Sequence, residues 1–143
     1  MKSSQNAEVV RAFTEAFNAG DVDGVIAVCD PQVEFQSTFA AVGGAVYRGH
    51  DGIREWHRDL EETWGEDIRS DLETLFEVGE RMLVFTVLHG RGEQSGAEVD
   101  LPAAMVIRLR DGLLVDFKGY SHRDDALDDL GVAASELEPI PPL

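Results

Sequence analysis

The side chains in this sequence best suited to chemistry are His57, His122 and Asp100. A histidine titrates near neutral pH, so it can give or accept a proton in an acid–base reaction. A carboxylate beside an apolar pocket can serve as a base, because burial raises its pKa. We therefore take His57 as the candidate acid–base residue, assisted by Asp100 or His122, with Ser37 as a group that would orient a ligand carbonyl.

Each of these residues also has a structural interpretation, which the sequence leaves open. His57 shares a helix face with Trp56 and Leu60, so it faces the sheet, either in a pocket or as a hydrogen-bonded histidine at the edge of the core. Asp100 precedes a Leu-Pro dipeptide and also fits a turn. Ser37 lies on the inward phase of its strand, where it could simply bond a neighbouring backbone group.

His122 belongs to a polar series at the end of the last long strand. Alternation places Asp116, Lys118, Tyr120 and His122 on one side of that strand. The positions between them form the more apolar face, which leaves this series on the solvent or dimer side of the sheet. A structural role and a site role are both compatible with the pattern.

The sequence indicates neither a metal site nor a cofactor. Its four histidines are scattered, without a His-x-x-x-His pair on a helix, and Cys29 is the single cysteine. On an apolar helix face, Cys29 is expected to be a core residue and not a nucleophile.

Charge and composition narrow the classes of partner. The chain has 143 residues, with 28 acidic side chains against 12 Lys and Arg, and its formal net charge is −16. This charge repels phosphate backbones and anionic lipid surfaces, so nucleic-acid and membrane roles are not expected. A single cysteine and the lack of an apolar run of membrane-spanning length together predict a cytoplasmic protein.

The hydrophobic pattern predicts which elements position these residues. Gly20 can end one helix and Asp21 can cap the next, since glycine tolerates left-handed geometry and aspartate accepts hydrogen bonds from free N–H groups. The order of elements predicts one α+β domain over residues 1–132, with helices on a curved antiparallel sheet, and a proline-containing tail over residues 133–143. Helices are predicted over residues 6–19, 22–29, 51–64 and 124–130, and strands over residues 33–38, 68–78, 82–89, 99–110 and 113–121.

Four segments together resemble the nuclear transport factor 2-like superfamily, in particular its SnoaL-like and ketosteroid-isomerase-like branches. They are Phe-Asn-Ala-Gly-Asp-Val-Asp-Gly-Val at 17–25, Val-Glu-Phe at 33–35, Tyr-Arg-Gly-His-Asp-Gly-Ile at 47–53, and the strand and turn at 105–112 that lead to Tyr120. The resemblance implies a cone-shaped fold, in which three helices of the N-terminal half wrap a strongly curved antiparallel sheet around an internal apolar pocket. It also implies homodimers that pair through the outer face of the sheet.

This sequence lacks the catalytic residues of two groups of enzymes in the superfamily, the ketosteroid isomerases and the limonene-type epoxide hydrolases. Where ketosteroid isomerases have a tyrosine, an aspartate base and a second aspartate, this chain has Phe13, Ser37 and Met105. None of these can abstract a proton or donate to an enolate in the required way. The Asp-Arg-Asp set of limonene-type epoxide hydrolases is also missing from the corresponding strands.

We therefore expect a protein that binds an apolar, oxygenated small molecule. It could be a cofactor-independent isomerase, cyclase or dehydratase that works by proton transfer, or a non-catalytic ligand-binding or dimerisation module of the same fold. The sequence does not decide between these. The residues expected to line or floor the pocket are Phe13, Phe17, Phe35, Ser37, Trp56, Trp64, Met105, Phe117 and Tyr120.

Overall fold

The computed structural model describes residues 2–36, 46–65, 67–91 and 98–140, with side chains from residue 5 onward. The helices of these residues are α1 (Lys2–Asn18), α2 (Val22–Ala27), α3 (Gly49–Trp64) and α4 (Arg123–Leu130), with a 3-10 helix at Ala134–Glu136. The strands are β1 (Cys29–Gln36), β2 (Val46–Arg48), β3 (Arg69–Val78), β4 (Arg81–Arg91), β5 (Glu98–Arg110), β6 (Leu113–Tyr120) and β7 (Pro139–Ile140). None of the helices in this described part is long and apolar enough to cross a membrane.

The junction between α1 and α2 has the predicted geometry. Gly20 adopts a φ of 71°, which only glycine adopts without strain, and the chain turns there. The Asp21 carboxylate accepts a hydrogen bond from the Gly24 N–H at 3.0 Å, which caps α2. The local signals in this segment therefore specify both helix ends.

The first strand begins earlier than predicted. β1 starts at Cys29 instead of residue 33 and includes Pro31, which has no N–H for the ladder. Its pairing with β6 shifts register between Cys29 and Glu34, so Pro31 occupies an irregular stretch where no ladder bond is lost.

The sheet has the order β2-β1-β6-β5-β4-β3-β7 and is open at both ends. This confirms the predicted α+β fold, with one addition. β1 pairs with β6 in parallel, whereas every other neighbouring pair of described strands is antiparallel. Alternation along a strand reports which side chains share a face but not the direction of the neighbouring strand, so the sequence did not reveal the parallel pair.

Apolar side chains form a core on each face of the sheet. The inner face, where α1 and α3 pack, holds the larger core, which includes Phe13, Phe35 and Trp56. The outer face holds a smaller cluster around Leu83 and Ala126, covered in part by α4. The inner core is therefore the place where a pocket of the expected kind could lie.

The C-terminal segment adds a short edge to the sheet. β7 pairs with β3, with Ile140 opposite Leu75 and Pro139 opposite Phe76. Ile140 also packs against the inner core. This part of the predicted tail is thus docked on the sheet.

Candidate functional site

Five aromatic rings form the centre of the inner core. They come from α1 (Phe13 and Phe17), β1 (Phe35), α3 (Trp56) and β6 (Phe117). The Phe35 and Phe117 rings stack with centroids 4.5 Å apart, and the Trp56 ring meets the Phe35 ring edge-on at 4.9 Å. Offset and edge-on contacts of this kind are favourable, so the cluster fixes Trp56 from several sides.

A cavity of about 30 Å³ lies beside these rings. A cavity of this size has room for one or two water molecules, since one water needs about 10–15 Å³. The lining residues are Phe13, Thr14, Phe17, Trp56, Leu60, Ile68, Ser70, Thr86, Leu88, Met105 and Phe117. Five of these are residues that the sequence analysis expected in a pocket.

Trp56 carries an unsatisfied hydrogen-bond donor in this lining. The residue is 3% exposed, and its Nε1 is buried without a partner among the described residues. A buried polar group left without a partner costs about 1–3 kcal/mol. An acceptor brought within hydrogen-bond distance of this nitrogen would remove that cost.

Ser70 and Thr86 place two hydroxyl groups on the same lining, where an oxygen can accept a hydrogen bond. The Thr86 hydroxyl donates to the Asp71 carbonyl at 2.9 Å, and its Oγ1 lies 2.5 Å from the Ser70 Oγ. Because a hydroxyl has one proton, Ser70 must donate to Thr86. The Ser70 oxygen therefore keeps its acceptor capacity on the lining of the cavity.

Asn18 holds Ser70 in this position. Its Nδ2 donates to the Ser70 carbonyl at 2.9 Å, and its Oδ1 accepts from the Ser70 N–H at 2.7 Å. Sequence reasoning missed both residues as parts of the site. The available signal was the inward phase of Ser70 in β3, whereas Asn18 was identified only as part of the segment 17–25 that carries the family resemblance.

The described lining contains no residue that titrates near neutral pH. Its polar groups are the two hydroxyls, the Thr14 hydroxyl, which donates to the Val10 carbonyl at 2.8 Å, and the Trp56 indole. The cavity can therefore orient an oxygen atom through hydrogen bonds, but these residues offer no group to carry a proton in catalysis.

His57 lies behind the lining. Its side chain is 12% exposed, and its Nδ1 lies 3.2 Å from Glu61 Oε1 one turn along α3. Its ring meets the Phe17 ring edge-on at 6.4 Å. Phe17 thus stands beside His57 as part of the cavity wall, and His57 itself is not among the lining residues.

Asp100 lies in a separate open cleft of about 510 Å³ at the end of the sheet where β3 begins and β4 ends. Its Oδ1 is 2.6 Å from His89 Nδ1, and Asp71 Oδ2 is 2.7 Å from His89 Nε2. A carboxylate faces each ring nitrogen, and this arrangement favours the imidazolium form, in which both nitrogens donate. The hydrogen bond that His89 donates to Asp100 is the main cause that raises the His89 pKa above its usual value. Asp100 is thus ion-paired and mostly exposed instead of buried beside the apolar cavity.

His122 and Tyr120 lie elsewhere on the outer side. His122 precedes α4 and borders a shallow depression with Leu101 and Pro102. Tyr120 packs in the outer cluster and donates to Asp129 Oδ2 at 2.7 Å. Burial, followed by that hydrogen bond, raises the Tyr120 pKa. His57, Asp100 and His122 therefore do not form one catalytic group in this structure.

The remaining predicted residues are near the cavity or outside the described chain. Phe35 packs against the lining rings without bordering the cavity. Trp64 is half-buried and covers Gly90, where an added Cβ would lie 3.0 Å from its ring. Ser37 falls outside the described residues.

Cys29 is buried, and burial raises the pKa of its thiol to about 12. A thiol in this environment is unreactive at neutral pH. This agrees with the interpretation of Cys29 as a core residue.

Comparison with solved structures defines the class of fold. The chain is similar to an NTF2-like protein of unknown function from Burkholderia pseudomallei, with 23% identity, a TM-score of 0.73, and coverage of 87% of this chain and 95% of that one. It is similar to TerC, co-crystallised with polyporic acid, with 23% identity, a TM-score of 0.73, and coverage of 88% and 97%. A ketosteroid isomerase-like protein from Catenulispora acidiphila, in complex with trimethylamine, gives 16% identity, a TM-score of 0.72, and coverage of 90% and 95%. At these identities the likeness shows the fold.

The family follows from the sequence itself. The family model of the SnoaL-like domain matches residues 10–117, which is most of the chain. The chain belongs to the SnoaL-like domain family, as its motifs predicted. No curated protein matches it.

Proposed function

We propose that this protein binds a small, uncharged, apolar molecule that carries an oxygen atom, in the cavity beside Trp56. The observation that carries the proposal is the buried Nε1 of Trp56, a residue of the cavity lining, because this nitrogen has no acceptor among the described residues. A ligand hydroxyl could accept from Trp56 and donate to Ser70. A ligand carbonyl could only accept, so hydroxyl compounds such as phenols are the best match.

The absence of charge in the described lining supports an uncharged ligand. An ionised group in such a site would lose its hydration without gaining an ion pair, which is costly. Binding without proton-transfer catalysis is therefore the activity that we propose.

The size of the cavity requires side chains to move when a ligand binds. Ligand sites commonly have volumes of about 300–1,000 Å³, well above the 30 Å³ found beside Trp56. Met105 and Leu88 on the lining are apolar, and methionine in particular has flexible rotamers that let it adapt to a ligand. Two fold relatives that hold small organic molecules, TerC with polyporic acid and the Catenulispora protein with trimethylamine, are consistent with this activity.

Calorimetry with two matched probes, phenol and toluene, tests the proposal. The wild-type protein should bind phenol more tightly than toluene, and Trp56→Phe should reduce that preference by about 1 kcal/mol, or roughly fivefold, because the indole donor is lost while an aromatic ring remains. Phe17→Leu is the control, since it changes the volume of the lining without removing a donor. Binding of neither probe, or an unchanged preference in Trp56→Phe, would contradict the proposal.

A second candidate function is association through the outer face of the sheet, giving a homodimer. The small volume of the cavity beside Trp56 favours this candidate. A protein with little room for a ligand in its core would act through its surface. Phe85 and Val87 lie on the outer face of β4 and are only half-buried, which suits a contact surface. Sedimentation equilibrium should give a dimer for the wild type and a monomer for Val87→Glu, and a monomeric wild type would exclude this candidate.

As part of the same proposal, we place this protein in the cytoplasm. The lone Cys29 is compatible with a reducing compartment, where disulfides are rare.

A further inference from the structure

Ile68 borders both the cavity beside Trp56 and the open cleft at His89. Among the described residues it is the one that the two linings share. Ile68 is 5% exposed, so its side chain fills the position between the two spaces. Ile68 is therefore the residue at which the small cavity and the larger cleft adjoin.

The backbone at Ile68 is held less firmly than its neighbours. The first paired residue of β3 is Arg69, opposite His89, so Ile68 lies just outside the ladder with β4. Its N–H reaches the Gly65 carbonyl at 3.4 Å, beyond the usual length of a strong hydrogen bond. Ser70, two residues later, is fixed by both bonds to Asn18. Hydrogen bonds therefore hold the backbone at Ile68 less firmly than the backbone at Ser70.

We infer that Ile68 is a movable partition and that the cleft and the cavity are two compartments of one binding site. This inference rests on the proposed binding function and specifies its ligand further. The apolar, oxygen-bearing end of the ligand passes Ile68 and reaches Trp56, while the rest of the molecule lies in the cleft. The cleft of about 510 Å³ then supplies the volume that the cavity lacks, and it falls within the usual range for ligand sites.

The charges of the cleft indicate an uncharged polar group at the outer end of the ligand. His89 is engaged by Asp71 and Asp100, and Arg91 lies 3.8 Å from Glu98. Among the described lining residues, the three carboxylates are matched by three basic side chains, so neither sign is in large excess there: Asp67, Glu98 and Asp100 against Arg69, His89 and Arg91. A ligand with hydroxyl or ether oxygens at that end can hydrogen-bond there without bringing a charge.

Hydrogen exchange of the Trp56 indole proton tests the partition without any ligand. In Ile68→Ala, exchange of this proton with D₂O should accelerate about tenfold or more relative to the core amides of β4, because water reaches the cavity through the opened wall. Leu88→Ala is the matched control, since Leu88 lines the cavity but not the cleft. It should accelerate the indole proton no more than the core amides. Ile68→Val, a milder change that should fold, should give an intermediate acceleration.

The inference is overturned if the indole proton and the core amides accelerate equally in Ile68→Ala and Ile68→Val, since exchange would then report global unfolding alone. Phenol separates this outcome from the proposed function. If phenol binds the wild type but neither Ile68 variant changes its association rate or the indole exchange, the binding function stands and the partition does not. If phenol fails to bind while the indole exchange still accelerates in Ile68→Ala, the partition stands and the proposed function does not.

Discussion

Trp56 illustrates what a sequence can and cannot say about a single residue. Its place in an apolar helical stripe predicted that it would be buried, and it is. Whether its indole N–H would find a partner depends on which carbonyls and hydroxyls other elements bring within reach. That outcome is set by three-dimensional packing, so the unsatisfied donor could be found only in the structure.

Ser70, Thr86 and Ile68 show the same limit for the site as a whole. Each was visible only as a strand residue, since one hydroxyl or one isoleucine in an alternating pattern has no distinctive spacing. Their importance comes from the spaces that they border and from Asn18, which is 52 positions from Ser70 in the sequence. The aromatic part of the lining was predictable because large apolar side chains on inward phases must be buried.

His89 should make the stability of the protein depend on pH. Its pKa is raised above the usual 6.5, chiefly by the hydrogen bond that its ring donates to Asp100. A group whose pKa is raised on folding stabilises the folded state fully below its unfolded pKa, and this contribution fades as the pH rises through the folded value. His89→Asn should therefore lower the free energy of unfolding most below about pH 6.5, with the difference shrinking at alkaline pH.

Urea denaturation of the wild type and His89→Asn across a pH series measures this effect, and an NMR titration of the His89 ring follows its pKa directly. Asp100→Asn is the control and should lower that pKa. Added salt should weaken the effect, because the side chains of Asp71 and Asp100 are 58% and 69% exposed. A difference between the two proteins that grows with rising pH would refute the ion-paired imidazolium.

At the scale of the elements, local signals in the sequence predicted the helices, but they predicted the pairing of the strands only in part. Gly20 and Asp21 act on residues next to them, so they specify where α1 ends and α2 begins. The pairing of β1 with β6 joins residues far apart in the chain, such as Phe35 and Phe117. Such pairings depend on all the strands together, which explains why the parallel pair and the early start of β1 were not foreseen.

The Asn18–Ser70 contact is the clearest link between two elements of the site. It joins the end of α1 to the start of β3 by two hydrogen bonds, and it sets the position of the Ser70 hydroxyl. Asn18→Ala should lower the free energy of unfolding by about 1–3 kcal/mol, because the Ser70 N–H and carbonyl lose their partner.

Urea denaturation at neutral pH measures the loss, with Glu15→Ala as the control on the same helix. Glu15 is exposed and alanine favours helices, so the control should differ little from the wild type. If Asn18→Ala is as stable as Glu15→Ala, the two bonds do not hold α1 on β3.

At the scale of the whole molecule, the SnoaL-like fold places three helices against one face of an open sheet. This arrangement brings aromatic side chains from α1, α3, β1 and β6 into one core. The cavity beside them has a volume of about 30 Å³, which depends on how these side chains pack together. The sequence could predict a lining of this composition, but the volume inside it is a property of the assembled molecule.

The central claim is that the cavity accepts a ligand oxygen at Trp56. The most direct measurement is the NMR signal of the Trp56 indole N–H during a titration with phenol, with the Trp64 indole as an internal reference. The account predicts that the Trp56 signal moves downfield and saturates as its proton gains an acceptor, while the Trp64 signal changes little. A titration in which the Trp56 signal does not move up to the solubility limit of phenol would contradict it.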